Sequence, residues 1–178
     1  AEVTYSPNTK GTIFFPPSIE YESHEYKIIN IKEDSFKDNK NIKSIEIPDE
    51  SYLKTISKDA FSYSSIKSLT IPSQVDKLED GWCHNIFNLN SVTISPSNKN
   101  FRYLDDTHQI IIGKSDTKED IFDTIVFANR NIEQATIPKF IKCIKPYAFQ
   151  NCRQLKTLEI EKDSELVSIF EKAFSTTS

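Results

Sequence analysis

Apolar residues recur along the chain in one fixed order: an apolar residue, two variable positions, a second apolar residue, one variable position and an isoleucine. The order appears as Ile42, Ile45, Ile47, then as Ile66, Leu69, Ile71 and as Leu89, Val92, Ile94. It returns as Ile132, Ala135, Ile137 and as Leu155, Leu158, Ile160. The closing isoleucines are 24, 23, 43 and 23 residues apart, so one step is nearly two periods long. The in-out-in alternation that ends each copy predicts a half-buried strand. Proline follows at once at Pro48, Pro72 and Pro138, and one residue later at Pro96. Without an amide hydrogen, it ends the ladder there.

A second pattern alternates with the first. An apolar residue is followed four and five positions later by a small residue and a phenylalanine. Ile31 leads to Ser35-Phe36, Ile56 to Ala60-Phe61, Ile144 to Ala148-Phe149, and Ile169 to Ala173-Phe174. After Leu78 the pair is Trp82-Cys83, with large and small exchanged and the volume roughly kept. After Leu104 the same offsets hold His108 and Gln109, and the motif is lost. One such turn cannot bury its apolar face alone. Stacked turns share a continuous core, and stability becomes a sum of neighbour contacts.

The rest of the chain departs from the period. Thr12–Phe15 and Glu25–Ile29 read as strands, with Ile19 and Tyr21 between them. We expect residues 1–30 to form an N-terminal hairpin cap. The long step spans about 101–131 and holds two β-rich runs, 109–112 and 124–127, separated by a charged loop. This predicts a hairpin projecting from the stack. Repeats are expected over 31–100 and 132–178, within a single domain of 178 residues. The last motif breaks off at Ala173-Phe174-Ser175, so a truncated C-terminal end is expected.

Composition narrows the function. A net charge of −4 lacks the basic excess that a phosphate-binding surface needs, which argues against nucleic acid. Three glycines disfavour a phosphate loop. The three cysteines, Cys83, Cys143 and Cys152, form no CxxC pair, so neither a disulfide nor a zinc site is expected. His24, His84 and His108 share no metal-ligand spacing. No run of apolar residues is long enough for a membrane helix. No catalytic constellation stands out, and neither enzyme activity nor a cofactor is expected.

The unit Cys152-x-x-Leu155-x-x-Leu158-x-Ile160, with Ile144-x-x-x-Ala148-Phe149 and Ile137-Pro138-x-x-Ile141-x-x-Ile144, resembles the BspA-like class of leucine-rich repeats. The resemblance runs from about residue 11 to 178. Gly81-Trp82-Cys83 and the segments 95–101 and 122–130 are most similar to versions in protozoan parasites. The expected fold is a β-rich solenoid, a leucine-rich-repeat right-handed superhelix. It would have about five turns of ~23 residues, the hairpin cap and one enlarged turn. The resemblance implies a surface or secreted adhesion module that contacts host cells, matrix proteins or other microbes. A cytoplasmic scaffold that assembles protein partners is the alternative.

Two surfaces are candidates for the contact, with proteins or glycans as partners. The outward residues of the five strands are Ser44 and Glu46, Ser68 and Thr70, Ser91 and Thr93, Gln134 and Thr136, and Thr157 and Glu159. They make a face rich in hydroxyls. The loop of the enlarged turn, with Lys114, Asp116, Lys118, Glu119 and Asp120, is the rival.

Overall fold

The computed structural model describes residues 1–6 and 8–177, which fall into two compact units, 1–99 and 100–178. The described residues contain strands and turns and no helix.

In the first unit the strands in chain order are β1 (Glu2–Val3), β2 (Gly11–Phe14), β3 (Ser18–Tyr21), β4 (His24–Lys27) and β5 (Asn30–Ile31). They continue as β6 (Ile42–Glu46), β7 (Thr55–Ile56), β8 (Ser68–Ile71), β9 (Lys77–Leu78) and β10 (Ser91–Ile94). Two parallel sheets result, in the orders β1-β5-β7-β9 and β10-β8-β6-β2. The long strands are those of the isoleucine pattern, and the short strands are the apolar residues that precede the phenylalanine motif.

Each repeat pairs with the next at the same position, as at Leu69↔Val92 and Ile71↔Ile94. The apolar members therefore share one interior. Ile42, Ile45, Ile47, Ile66, Leu69, Ile71, Leu89, Val92 and Ile94 are all buried. A fully buried Ile, Leu or Phe contributes roughly 1.5–3 kcal/mol, most of it offset by lost chain entropy.

The phenylalanine turns form their own ladder. The Phe36 amide donates to Ala60 O at 2.8 Å, and that of Phe61 to Trp82 O at 3.3 Å. Within each turn two residues four apart take left-handed backbone: Asp34 and Asp38, Asp59 and Tyr63, Gly81 and Asn85. Asn, Asp and Gly tolerate that region best. The rings stack behind these turns. Phe36 and Phe61 lie 5.6 Å apart and nearly parallel, and Trp82 meets Phe61 edge-on at 6.4 Å. Trp82 and Cys83 are both buried, as the exchange of large and small requires.

The N-terminal region is corrected in one respect. A hairpin exists, but β3 and β4 make it, with Ser18 opposite Lys27. The run at 11–14 is not part of it. It joins the long-strand sheet, parallel to β6. Asn39 holds this strand's entry: its amide donates to Ser6 O and Thr9 O, and its Oδ1 accepts from the amides of Asn41 and Ile42.

The second unit contains β11 (Phe101–Tyr103), β12 (Ile110–Gly113), β13 (Thr124–Ala128), β14 (Gln134–Ile137), β15 (Cys143–Ile144), β16 (Thr157–Ile160) and β17 (Ser168–Ile169). One sheet has the order β11-β12-β13-β15-β17, and β14 pairs with β16. β12 and β13 are antiparallel, as two runs around a polar loop predict. They do not project, however. Every residue of both strands is buried, and β13 runs parallel to β15 in the repeat sheet. The reason is compositional: Ile110-Ile111-Ile112 and Ile125-Val126-Phe127 are apolar on both faces, which suits a covered strand.

The last repeat differs in burial. Leu158 and Ile160 are exposed although Ala135 and Ile137, their partners in register, are buried. β16 and β17 are the outer strands of their sheets.

Candidate functional site

Strand registry sets the geometry of the hydroxyl face. In the first unit Ser44 lies opposite Ser68, and Ser68 opposite Ser91. Thr70 lies opposite Thr93 one step along. Neighbouring strands are about 4.8 Å apart, so each row is an evenly spaced ladder of polar groups. Ser44, Ser68 and Thr70 are half-buried, and Glu46, Ser91 and Thr93 are exposed.

The sequence pattern missed a fourth strand on this face. β2 adds Thr12 opposite Ser44 and Phe14 opposite Glu46. Ser44 Oγ donates to Thr12 Oγ1 at 2.7 Å, tying the first two strands together on the outer side. Phe14 is 63% exposed and brings an aromatic ring to a face otherwise made of small polar groups. A signal was present: Ile13, Phe15 and Pro16 match Ile45, Ile47 and Pro48 in spacing. Phe14, Glu46, Ser68, Thr70, Ser91 and Thr93 line a shallow recess of about 520 Å³. Glu46 is the one charged side chain among the eight outward positions of these four strands.

In the second unit Gln134 pairs with Thr157 and Thr136 with Glu159, all four exposed. They form a separate two-strand face. Beside it Lys156 Nζ reaches Glu133 at 3.1 Å, a fully solvated pair of little energetic weight.

The loop of the enlarged turn is not a uniform charged tip. Lys114 is folded inward, with its Nζ 2.8 Å from Asp120 and 5.0 Å from the centre of the Phe122 ring. Arg102 lies 4.1 Å from the same ring. The hydrogen bond from Lys114 and its positive charge hold the Asp120 carboxyl below its ordinary value. Asp123 closes the base by accepting from the amide and hydroxyl of Ser115 at 3.0 and 2.9 Å. Burial pushes the Asp123 carboxyl up, but those bonds and that of Thr124 outweigh it and leave it below the usual range. Asp116, Lys118 and Glu119 remain exposed, with Asp116 accepting from the Lys118 amide.

Elsewhere reactive groups are placed for packing. Cys83 and Cys152 are buried and Cys143 half-buried, and none of the three is in a disulfide. His84 Nδ1 sits 3.3 Å from Asp59, and its ring packs on Tyr63 at 5.6 Å. Among the described residues no cluster of three His, Cys, Asp or Glu is arranged to hold a metal. No helix there is long and apolar enough to cross a membrane.

Comparison with known proteins agrees with this architecture. No curated protein matches the chain. Among solved structures, a leucine-rich cell surface protein from Faecalibacterium prausnitzii is similar at TM-score 0.70 and 17% identity, over 92% of this chain and 38% of that one. A leucine-rich repeat protein from Eubacterium ventriosum matches at TM-score 0.61 and 18% identity, over 84% of this chain and 49% of that one. The pneumococcal vaccine antigen PcpA matches at 0.51 and 16%, over 98% of this chain and 60% of that one. The chain thus spans about two-fifths to three-fifths of the proteins it resembles. The fold they share is the leucine-rich repeat. A family model for the BspA-type leucine-rich-repeat region matches residues 12–107 and 119–178 in six copies, and the chain belongs to that family.

Proposed function

We propose that the chain is a protein-binding module of a microbial surface protein, and that it contacts host-cell or matrix proteins through the outward face of β2, β6, β8 and β10. The observation that carries this reading is the joining of an exposed ring, Phe14, to in-register rows of Ser, Thr and Glu46. Protein interfaces concentrate their binding energy in a few aromatic or Arg anchors, with small polar groups around them. The hydroxyls supply donors and acceptors at strand spacing, and parallel strands hold them rigid, so little ordering is required on binding. A surface location is supported by the F. prausnitzii protein and by PcpA, described as a cell surface protein and a vaccine antigen. Catalysis forms no part of this reading.

Binding of the purified chain to fixed host epithelial cells and to matrix extract tests this. Phe14→Ala combined with Thr70→Arg is expected to weaken binding by about tenfold or more. Lys118→Ala combined with Glu119→Ala, in the rival loop, is expected to leave it unchanged. Loss of binding in the loop variant with retention in the face variant would reverse the assignment.

A further inference from the structure

The second unit carries a depression of about 600 Å³ that the strand-face reading does not use. One wall is the turn between β11 and β12, which contributes Asp105, Thr107 and Gln109. The other is the start of β14, with Asn131 and Gln134, and Gln154 comes from the turn before β16. Ile110, Ile132 and Ala135 lie beneath, all buried.

Four residues with carboxamide side chains line it. The side chains of Gln109, Asn131, Gln134 and Gln154 make no hydrogen bond with any described residue. Their donors and acceptors are therefore open to the depression. The wall that carries Gln109 is held in place. Asp105 accepts from the amide and hydroxyl of Thr107. His108 takes left-handed backbone and stacks on Tyr103 at 4.1 Å. The Asn129 amide donates to Gln109 O at 2.8 Å. The opposite wall is a strand paired over its full length with β16. The backbone around the depression is thus held in place at Gln109 and along β14, which positions the side chains it carries.

The lining selects a ligand chemistry. A carboxamide offers a donor and an acceptor side by side, and so does a hydroxyl. A pair of neighbouring sugar hydroxyls can engage one carboxamide through both. The lining holds two carboxylates, Asp105 and Glu133, and no Lys, Arg or His, which disfavours phosphate, sulfate and carboxylated sugars. It also lacks an exposed aromatic or long apolar side chain, which a peptide would need for an anchor. The volume falls within the ~300–1,000 Å³ typical of small-ligand sites. We propose that this depression is a binding site for a neutral saccharide, held by hydrogen bonds from Gln109, Asn131, Gln134 and Gln154. It shares no residue with the proposed protein-binding face on β2, β6, β8 and β10, although Gln134 and Thr136 are outward strand residues of the second unit.

Two-dimensional ¹⁵N NMR of the full chain tests it, because the side-chain NH₂ groups report directly. The probes are lactose, N-acetyllactosamine and cellobiose, with 3′-sialyllactose as the charged comparison. The expected result is saturable shifts of the four NH₂ pairs by at least one neutral sugar, with a dissociation constant on the order of 1 mM, weaker for the sialylated sugar. Gln134→Ala combined with Gln154→Ala is expected to weaken binding about tenfold with an unchanged melting curve, both side chains being exposed. The proposal is overturned if no neutral sugar moves those resonances, if the sialylated sugar binds more tightly, or if the double variant binds equally well. Loss of cell or matrix protein binding in that variant without any sugar response would also overturn it, and would assign the depression to a protein partner.

Discussion

At Arg130 a charged side chain lies buried among carbonyl groups. Its guanidinium donates to Ala128 O, Ala148 O and Tyr147 O, and packs against the Phe127 ring at 4.5 Å. Tyr147 and Ala148 belong to a phenylalanine turn, and in the first unit such turns are tied to their neighbours by backbone bonds. The preceding turn in the second unit has lost its motif, and Arg130 supplies part of that bonding instead. Arg130→Ala should therefore lower unfolding stability by about 3 kcal/mol in urea, because buried carbonyls lose charge-assisted partners. Asp123 gives a pH-dependent counterpart. Its folded carboxyl titrates below the ordinary value, so its contribution is complete above about pH 4 and fades as pH falls through the depressed folded value. Asp123→Asn should make the acid limb of the stability profile shallower. An unchanged limb would remove Asp123 from the account.

Among elements, the same repeat position has different weight in different strands. Ile71 is buried between β6 and β10, whereas Ile160 is half exposed on an outer strand. Ile71→Ala should cost about 2–5 kcal/mol, and Ile160→Ala less than about 1 kcal/mol, by urea unfolding. Gly113 is constrained by its sheet. A Cβ there would meet Val126 at 3.0 Å and Phe101 at 3.2 Å, so Gly113→Ala should destabilise by about 1–3 kcal/mol. Most strands were legible in the sequence, because burial of the first, fourth and sixth positions of each copy leaves a spaced pattern of aliphatic residues. β2 was harder to read: it keeps Ile13, Phe15 and Pro16 but has Lys10 where the first apolar residue should stand. The apolar runs of β12 and β13 signal covered strands, but not what covers them. Pairing with β15 places β13 in the repeat sheet, and that contact is not local in sequence.

Over the whole molecule, charge and shape of chemistry separate the surfaces. The net charge is −4, yet among the eight alternating outward positions of β2, β6, β8 and β10 only Glu46 is charged, with the exposed Lys43 near the start of β6 as the nearest addition. Association through that face should change little between about 0.05 and 0.5 M salt, because few charges are there to be screened. The ten outward residues, Gln134 among them, were readable from alternation, but Phe14, Gln109, Asn131 and Gln154 were not. Gln109 reaches its neighbours only when the enlarged turn folds beside β14, and no spacing rule announces that.

The account depends on long strands turning hydroxyls outward and isoleucine or leucine inward, in register. Thiol labelling of variants with one cysteine introduced at Ser68, Leu69, Thr70 or Ile71, with Cys143 replaced by Ser and the buried Cys83 and Cys152 kept as an unlabelled background, reads that directly. Fast labelling at 68 and 70 and protection at 69 and 71 is the predicted result. Equal rates at all four positions, or protection at 68 and 70, would contradict it.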